Sequence, residues 1–209
     1  KTLAIFNGMK IVVTHTSPDM DAITSVWLIR KFLPGWESAR VKFVPAGDRL
    51  NTSKNKTDII EKIGEDEVIH VDTGLGPLDH HQTASDKVCG ASLAFDFVKE
   101  HIAKHNVEAV ERMVRVIVDV DHFKEVFRKD PLADYHEFDL AGILDGLKLQ
   151  FPGQDDYYVE FVSKCLDAVL HEFENRIWAE KEIEENGIKF ETKKGTGMGF
   201  ETINDSVVK

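Results

Sequence analysis

Cysteine is scarce: Cys89 and Cys165 are the only two in 209 residues, far apart and not arranged as Cys-x-x-Cys. That argues against a disulfide scaffold and against a zinc finger, and leaves both thiols as packing residues in a reducing, cytoplasmic chain. Long apolar runs are missing as well. No stretch approaches the roughly 18 residues that a membrane span needs, and no signal peptide opens the chain, so no membrane partner is expected. Positive charge is in deficit, with 26 Lys and Arg against 37 Asp and Glu and a formal net charge of −11. This balance speaks against broad binding to a phosphate backbone, which needs cationic side chains to displace counterions. Carboxylates gathered around divalent cations are the exception, because the formal charge leaves bound ions out.

What is present points to a folded enzyme-sized unit. An apolar fraction of 42% with 13 Phe excludes a disordered chain. Met9 reads as a natural start running straight into a β-branched strand over 10–14, and the residues before it are given no function. Ser17-Pro18 suits a helix entry, with a helix over 19–33 stopped by Pro34-Gly35. A strand over 41–44, a short helix over 57–63 and a strand over 68–71 follow, closed by the loop Thr73-Gly74-Leu75-Gly76-Pro77. This alternation predicts the α/β class, a parallel sheet with helices on both faces. From Ala91 the pattern turns mostly helical, over 91–105, 107–118 and 157–184, with Leu166, Val169, Leu170, Phe173 and Ile177 forming one stripe. A strand over 188–192, a Gly-rich turn and a second apolar run end the chain. One domain over 9–185 is expected, with 186–209 a short tail or the start of an incomplete second domain.

Four separated segments carry metal-type ligands where strands or helices end. They are His15-Thr16-Ser17-Pro18-Asp19-Met20-Asp21, Asp72, Asp79-His80-His81-Gln82, and Asp119-Val120-Asp121-His122. In open α/β sheets ligands bind beyond the carboxyl ends of the strands, where His15 and Asp72 fall. Carboxylate and imidazole suit hard divalent ions such as Mn²⁺ or Mg²⁺, and two such ions need bridging carboxylates. Singly, each residue has a plainer reading: Asp19 and Asp21 at a helix N-terminus, Asp72 in a turn, Asp119 or Asp121 at a helix end. Asp79-His80-His81 has fewer, since adjacent histidines after an aspartate serve no evident packing need. Other candidates fail: His136-Glu137 and His171-Glu172 lack the second histidine of a zincin helix, and Gly195–Gly199 is neither a P-loop nor a placed Gly-x-Gly-x-x-Gly and reads as a hairpin turn in preference to a Gly-rich substrate-binding motif.

The combination resembles the DHH phosphoesterase superfamily of RecJ-type exonucleases, family II inorganic pyrophosphatases and cyclic-dinucleotide hydrolases. His15-x-x-x-Asp19-x-Asp21, Asp72, Asp79-His80-His81 and Asp121 or Asp119 carry the resemblance over about residues 9–125. Leu78–Gln82 and Val118–His122 also resemble the DHHQ-type melanocyte-proliferating-gene branch, although that branch carries a different first motif. The resemblance implies a DHH domain with two divalent cations, Mn²⁺ ahead of Mg²⁺. One cation would take His15, Asp19, Asp72 and Asp121; the other Asp21, Asp72, His80 and Asp121. His81 would face the substrate phosphate and Asp79 would orient an imidazole. Spacing leaves Asp119 and Asp121 open, with Asp121, the one further beyond the helix, favoured. The expected activity is two-metal hydrolysis of a phosphodiester in a phosphate-containing small molecule or short single-stranded nucleic acid, in a monomer or a homodimer. The alternatives are an inorganic pyrophosphatase and a non-catalytic metal-binding module on the same fold.

Overall fold

A computed structural model describes residues 8–50 and 57–201 of the chain. It is an α/β structure whose first half builds a four-stranded sheet. Strands β1 (Lys10–His15), β2 (Arg40–Val44), β3 (Glu61–Ile63) and β4 (Asp66–His70) stand in the order β2-β1-β4-β3. β1 pairs in parallel with both β2 and β4, Val12 facing Val41 on one side and Ile69 on the other. The chain thus leaves β1 for one neighbour and later returns to the other. A crevice opens between such divergent connections at the carboxyl ends of the strands, where His15 and Asp72 fall.

Two sequence expectations are corrected here. The sheet is mixed rather than all-parallel, because β3 runs antiparallel to β4. Residues 57–63 are not a helix: Glu61–Ile63 is that edge strand, joined to β4 through Gly64 at φ 64°. Ile59, Ile60 and Ile63 fit helical spacing, but the run is too short to offset the cost of helix nucleation, and a two-residue hairpin turn offers the chain paired hydrogen bonds at once.

Helices cover one face of the sheet. α1 (Met20–Phe32) is buried from Met20 through Ile29. Val12, Ile69 and Val71 share its core with α2 (Gly90–Val98), α3 (Val107–Asp121), α4 (Leu140–Gln150) and α5 (Asp155–Asn186). α3 has Ala109, Val110, Met113, Val114, Ile117 and Val118 buried, the stripe that a helix lying on a core presents. α5 is tied to α1 by polar contacts: Asp167 accepts from the Trp27 indole at 2.9 Å and from Lys31 at 2.6 Å. On the other face Ile11, Val13, Val44 and Val68 form a smaller cluster with Leu50 and Ile63, neither of which is helical. Helical cover on both faces is therefore not seen among the described residues.

Past α5 comes an exposed antiparallel hairpin of β5 (Ile188–Thr192) and β6 (Gly195–Gly199). The Gly-rich run expected as a turn is itself the second strand. The apolar run expected after it lies mainly in 202–209, outside the described residues. Among those described, no helix is long and apolar enough to cross a membrane.

Candidate metal centre

His15 closes β1, and the amide of Thr16 binds the Val44 carbonyl at 2.8 Å, fixing the strand exit. The His15 Nδ1–H donates to the Thr16 carbonyl at 3.0 Å. A carbonyl only accepts, so this bond sets the tautomer and leaves the Nε2 lone pair free. Nε2 lies 3.3 Å from Asp72 Oδ2 and 3.8 Å from Asp19 Oδ2. Asp19 caps α1, its Oδ1 accepting from the Ala22 amide at 3.0 Å. Its other oxygen remains for the site.

Asp72 follows β4 at φ 50°, a left-handed conformation that aspartate tolerates better than most residues. Its amide donates to the Leu78 carbonyl at 2.9 Å, which closes the Gly-rich loop upon itself. Gln82 reinforces that loop, donating to the Gly76 carbonyl at 3.1 Å. Arg49 packs against Gly74 and Gly76 and donates to the Gly74 carbonyl at 2.9 Å. Arg49 also belongs to a buried network with Glu61 and His70, in which burial and the Arg49 charge push the His70 pKa down to about 4, against the opposing pull of Glu61.

The loop delivers His80 into the centre. Its Nε2 stands 3.5 Å from Asp72 Oδ1, 3.6 Å from Asp121 Oδ2 and 3.7 Å from Asp21 Oδ2. Asp21 holds the start of α2, accepting from the Gly90 and Ala91 amides at 2.6 Å each. Glycine is required at position 90: a Cβ there would sit 2.9 Å from Asp72 Cβ and 3.0 Å from Asp21 Oδ2. His81 is more exposed. Its Nδ1–H donates to Asp79 Oδ1 at 2.8 Å, and Asp79 also accepts from the His81 and Leu75 amides. Nδ1 of His81 is therefore committed, and Nε2 is the nitrogen left for other work.

Electrostatically the cluster is unbalanced without cations. Burial, with the charges of Asp19, Asp121 and Asp79 adding to it, pushes Asp72 up to about 9. Burial and Asp72 raise Asp21 well above the carboxylate range, and burial raises Asp121. Burial likewise lowers His80, favouring the neutral ring with a lone pair to give. Asp79 differs: burial pushes it up, but the bonds from His81 and Leu75 outweigh that and hold it below its usual value.

The donor set fits divalent cations. Asp72 Oδ1, His80 Nε2 and Asp121 Oδ2 are buried with no hydrogen-bond partner among the described residues. Buried polar atoms are rarely left so. Three overlapping groups place ligand atoms within 4.8 Å of one another: His15, Asp19 and Asp72; Asp72, His80 and His81; His80, Asp121 and His122.

All the expected residues thus converge except Asp119. Its side chain is half exposed and meets Lys124 at 3.7 Å, turned away from the cluster. Successive helix positions differ by about 100°, so Asp119 and Asp121 at the end of α3 cannot share a face. Asp119→Ala should accordingly leave Mn²⁺ affinity nearly unchanged by calorimetry, whereas Asp121→Ala should weaken it by about tenfold or more. Equal losses would reverse that distinction. Sequence reasoning assigned no role to His122, whose Nε2–H donates to the Val88 carbonyl at 3.0 Å beside Asp121, or to Gly90 and Arg49. Adjacency to Asp121 was the signal for His122. Nothing local marks the other two, because their roles exist only once distant segments meet.

Compared with known proteins, the chain matches no protein-family model, no curated protein and no solved structure.

Proposed function

We propose that the chain is a divalent-metal-dependent phosphodiesterase of the DHH type, hydrolysing a short oligonucleotide, a cyclic dinucleotide or a nucleotide. The observation that carries this reading is the set of buried, unpartnered ligand atoms on Asp72, His80 and Asp121. Aspartates packed with histidines in a desolvated crevice are costly unless something cationic is meant to join them. His15, Asp19 and Asp72 would hold one ion, and Asp21, His80 and Asp121 the other, with Asp72 between them. Two bound cations, Mn²⁺ or Mg²⁺, would supply activation of a water and neutralisation of charge developing on the phosphoryl oxygens.

The chain's own residues do the rest. The His15–Thr16 bond and the pinned loop hold their imidazoles in place before any ligand arrives, so little reorganisation is left for the reaction. His81, oriented through Nδ1 by Asp79, keeps Nε2 to hydrogen-bond a phosphate oxygen or give a proton to the leaving oxygen. This is the relation of histidine to aspartate found in acid–base pairs generally: the carboxylate fixes the ring and offsets its charge.

One variant separates the role of His81 from metal binding. His81→Ala should lower the turnover rate by about 10²–10⁴-fold while bound metal, counted by atomic absorption, stays at the wild-type level. Loss of metal in that variant would make His81 a ligand instead. The reading as a whole is tested with a panel of a generic diester, short RNA and DNA, cyclic dinucleotides and pyrophosphate, each with Mn²⁺ and Mg²⁺. Diester cleavage supports it. Cleavage of pyrophosphate alone, or metal binding without any turnover, contradicts it.

A further inference from the structure

A cavity of about 450 Å³ lies between α3, α4, α5 and the chain that links α3 to α4, within the size range of small-molecule sites. Its apolar wall includes Met20, Ile117, Val120, Val169 and Phe173. Met20 stands in the chain between Asp19 and Asp21, and Val120 stands next to Asp121. The wall is therefore continuous with the segments that carry the metal-type ligands.

The polar lining is Glu125, Arg128, His136, Glu137 and Asp139 from the linking chain and Asp145 from α4. Arg128, His136 and Asp139 engage one another. Arg128 donates to Asp139 at 3.1 Å, and His136 meets the same carboxylate at 3.5 Å while its Nε2–H donates to the Asp130 carbonyl at 3.2 Å. Glu125 is different, because its Oε2 is buried with no hydrogen-bond partner among the described residues. A buried carboxylate oxygen with nothing donating to it is unfavourable until a donor meets it.

We propose that this cavity receives the base of the substrate nucleotide, with Glu125 accepting from the N–H edge of that base; the proposal rests on the phosphodiesterase reading above. Apolar walls suit the flat face of a heteroaromatic ring, and a carboxylate selects rings by their donors. Guanine sets N1–H and an N2 amino hydrogen side by side, a pattern that a carboxylate accepts with both oxygens. Uracil offers one N–H between two carbonyl oxygens, which a carboxylate repels. Adenine and cytosine set an amino group beside a ring nitrogen that only accepts, so guanine is the base this carboxylate favours.

The test uses the full chain with Mn²⁺ and measures nucleoside binding by calorimetry. Guanosine should bind, with inosine, which lacks the 2-amino group, weaker by about tenfold and uridine weaker still. Glu125→Gln should reduce guanosine affinity by about tenfold or more. Ala141→Phe, which fills the cavity from α4, should abolish it, each variant being checked for an unchanged melting transition. Uridine binding as tightly as guanosine, unchanged affinity in both variants, or no nucleoside binding at all would overturn the proposal. Hydrolysis of bis(p-nitrophenyl) phosphate, which has no base, reports on the metal centre alone. Hydrolysis of that diester without guanosine binding overturns the cavity only. Guanosine binding that both variants lose, without hydrolysis, upholds the cavity and overturns the phosphodiesterase reading.

Discussion

Asp72→Asn should abolish hydrolysis of a phosphodiester and leave the protein folded. Asp72 is 2% exposed and sits between the two halves of the cluster, 3.3 Å from His15 and 3.5 Å from His80. Asparagine preserves its shape, tolerates the same left-handed backbone and keeps the amide bond to Leu78. What it removes is the charge that both cation positions would share. The rate should therefore fall by more than about a hundredfold, beyond what loss of an outer hydrogen-bond partner of a metal ligand costs. A folded Asp72→Asn protein with near-wild-type turnover would sink the two-cation assignment.

Freed of metal by a chelator, the wild-type protein should lose stability as pH rises, and Mn²⁺ should restore it. The sign follows from Asp72, whose folded pKa is pushed up to about 9 by burial and then by Asp19, Asp121 and Asp79. The unfolded chain ionises it near its ordinary value of about 4. Between these values the folded state holds a proton that the unfolded state has released. The contribution of this group is thus fully present below about pH 4 and is lost as pH climbs toward 9. The raised values of Asp21 and Asp121 act in the same direction. Cations reverse the penalty by binding the ionised form. At a hundredfold excess over its dissociation constant, an ion that binds only the folded state adds about 2.7 kcal/mol. For a chain of this length that raises Tm by something on the order of 5–10 °C. In Asp72→Asn the fall between pH 5.5 and pH 8.5 should flatten and most of the Mn²⁺ gain should vanish, both read by differential scanning fluorimetry. A chelated Tm that rises with pH, or an equal Mn²⁺ shift in wild type and variant, would contradict this picture.

Much of the site was legible because its residues sit at punctuation marks in the chain. His15 follows a β-branched run, Asp19 and Asp21 open a helix, and Asp72 precedes a Gly-rich loop, so local pattern alone sets them at element ends. The stripe on α5 was legible for the same reason: Leu166, Leu170 and Ile177 are buried, and Val169 and Phe173 pack beside them. What escaped depends on pairings and partners that hydrophobic spacing does not announce. The edge strand β3 exists because Gly64 lets Ile63 turn back onto Asp66, a pairing that outweighs the helical spacing of three isoleucines. Helix α4 carries Gly142 and Gly146, which weaken its helical signal, and its start is fixed by the preceding turns at 134–138. The Arg49–Glu61–His70 network that backs the Asp79-bearing loop draws its members from three separate segments. Gly90 reads as an ordinary residue before a helix until Asp72 is brought against it.

The most direct measurement titrates Mn²⁺ into metal-free protein while following the initial rate of bis(p-nitrophenyl) phosphate hydrolysis. Two ions per chain are predicted, with the rate rising as the second is filled and no rise in Asp72→Asn. A rate that stays at background while ions bind, or an equal rise in the variant, would contradict the assignment of His15, Asp19, Asp21, Asp72, His80 and Asp121 as the centre of a phosphodiesterase.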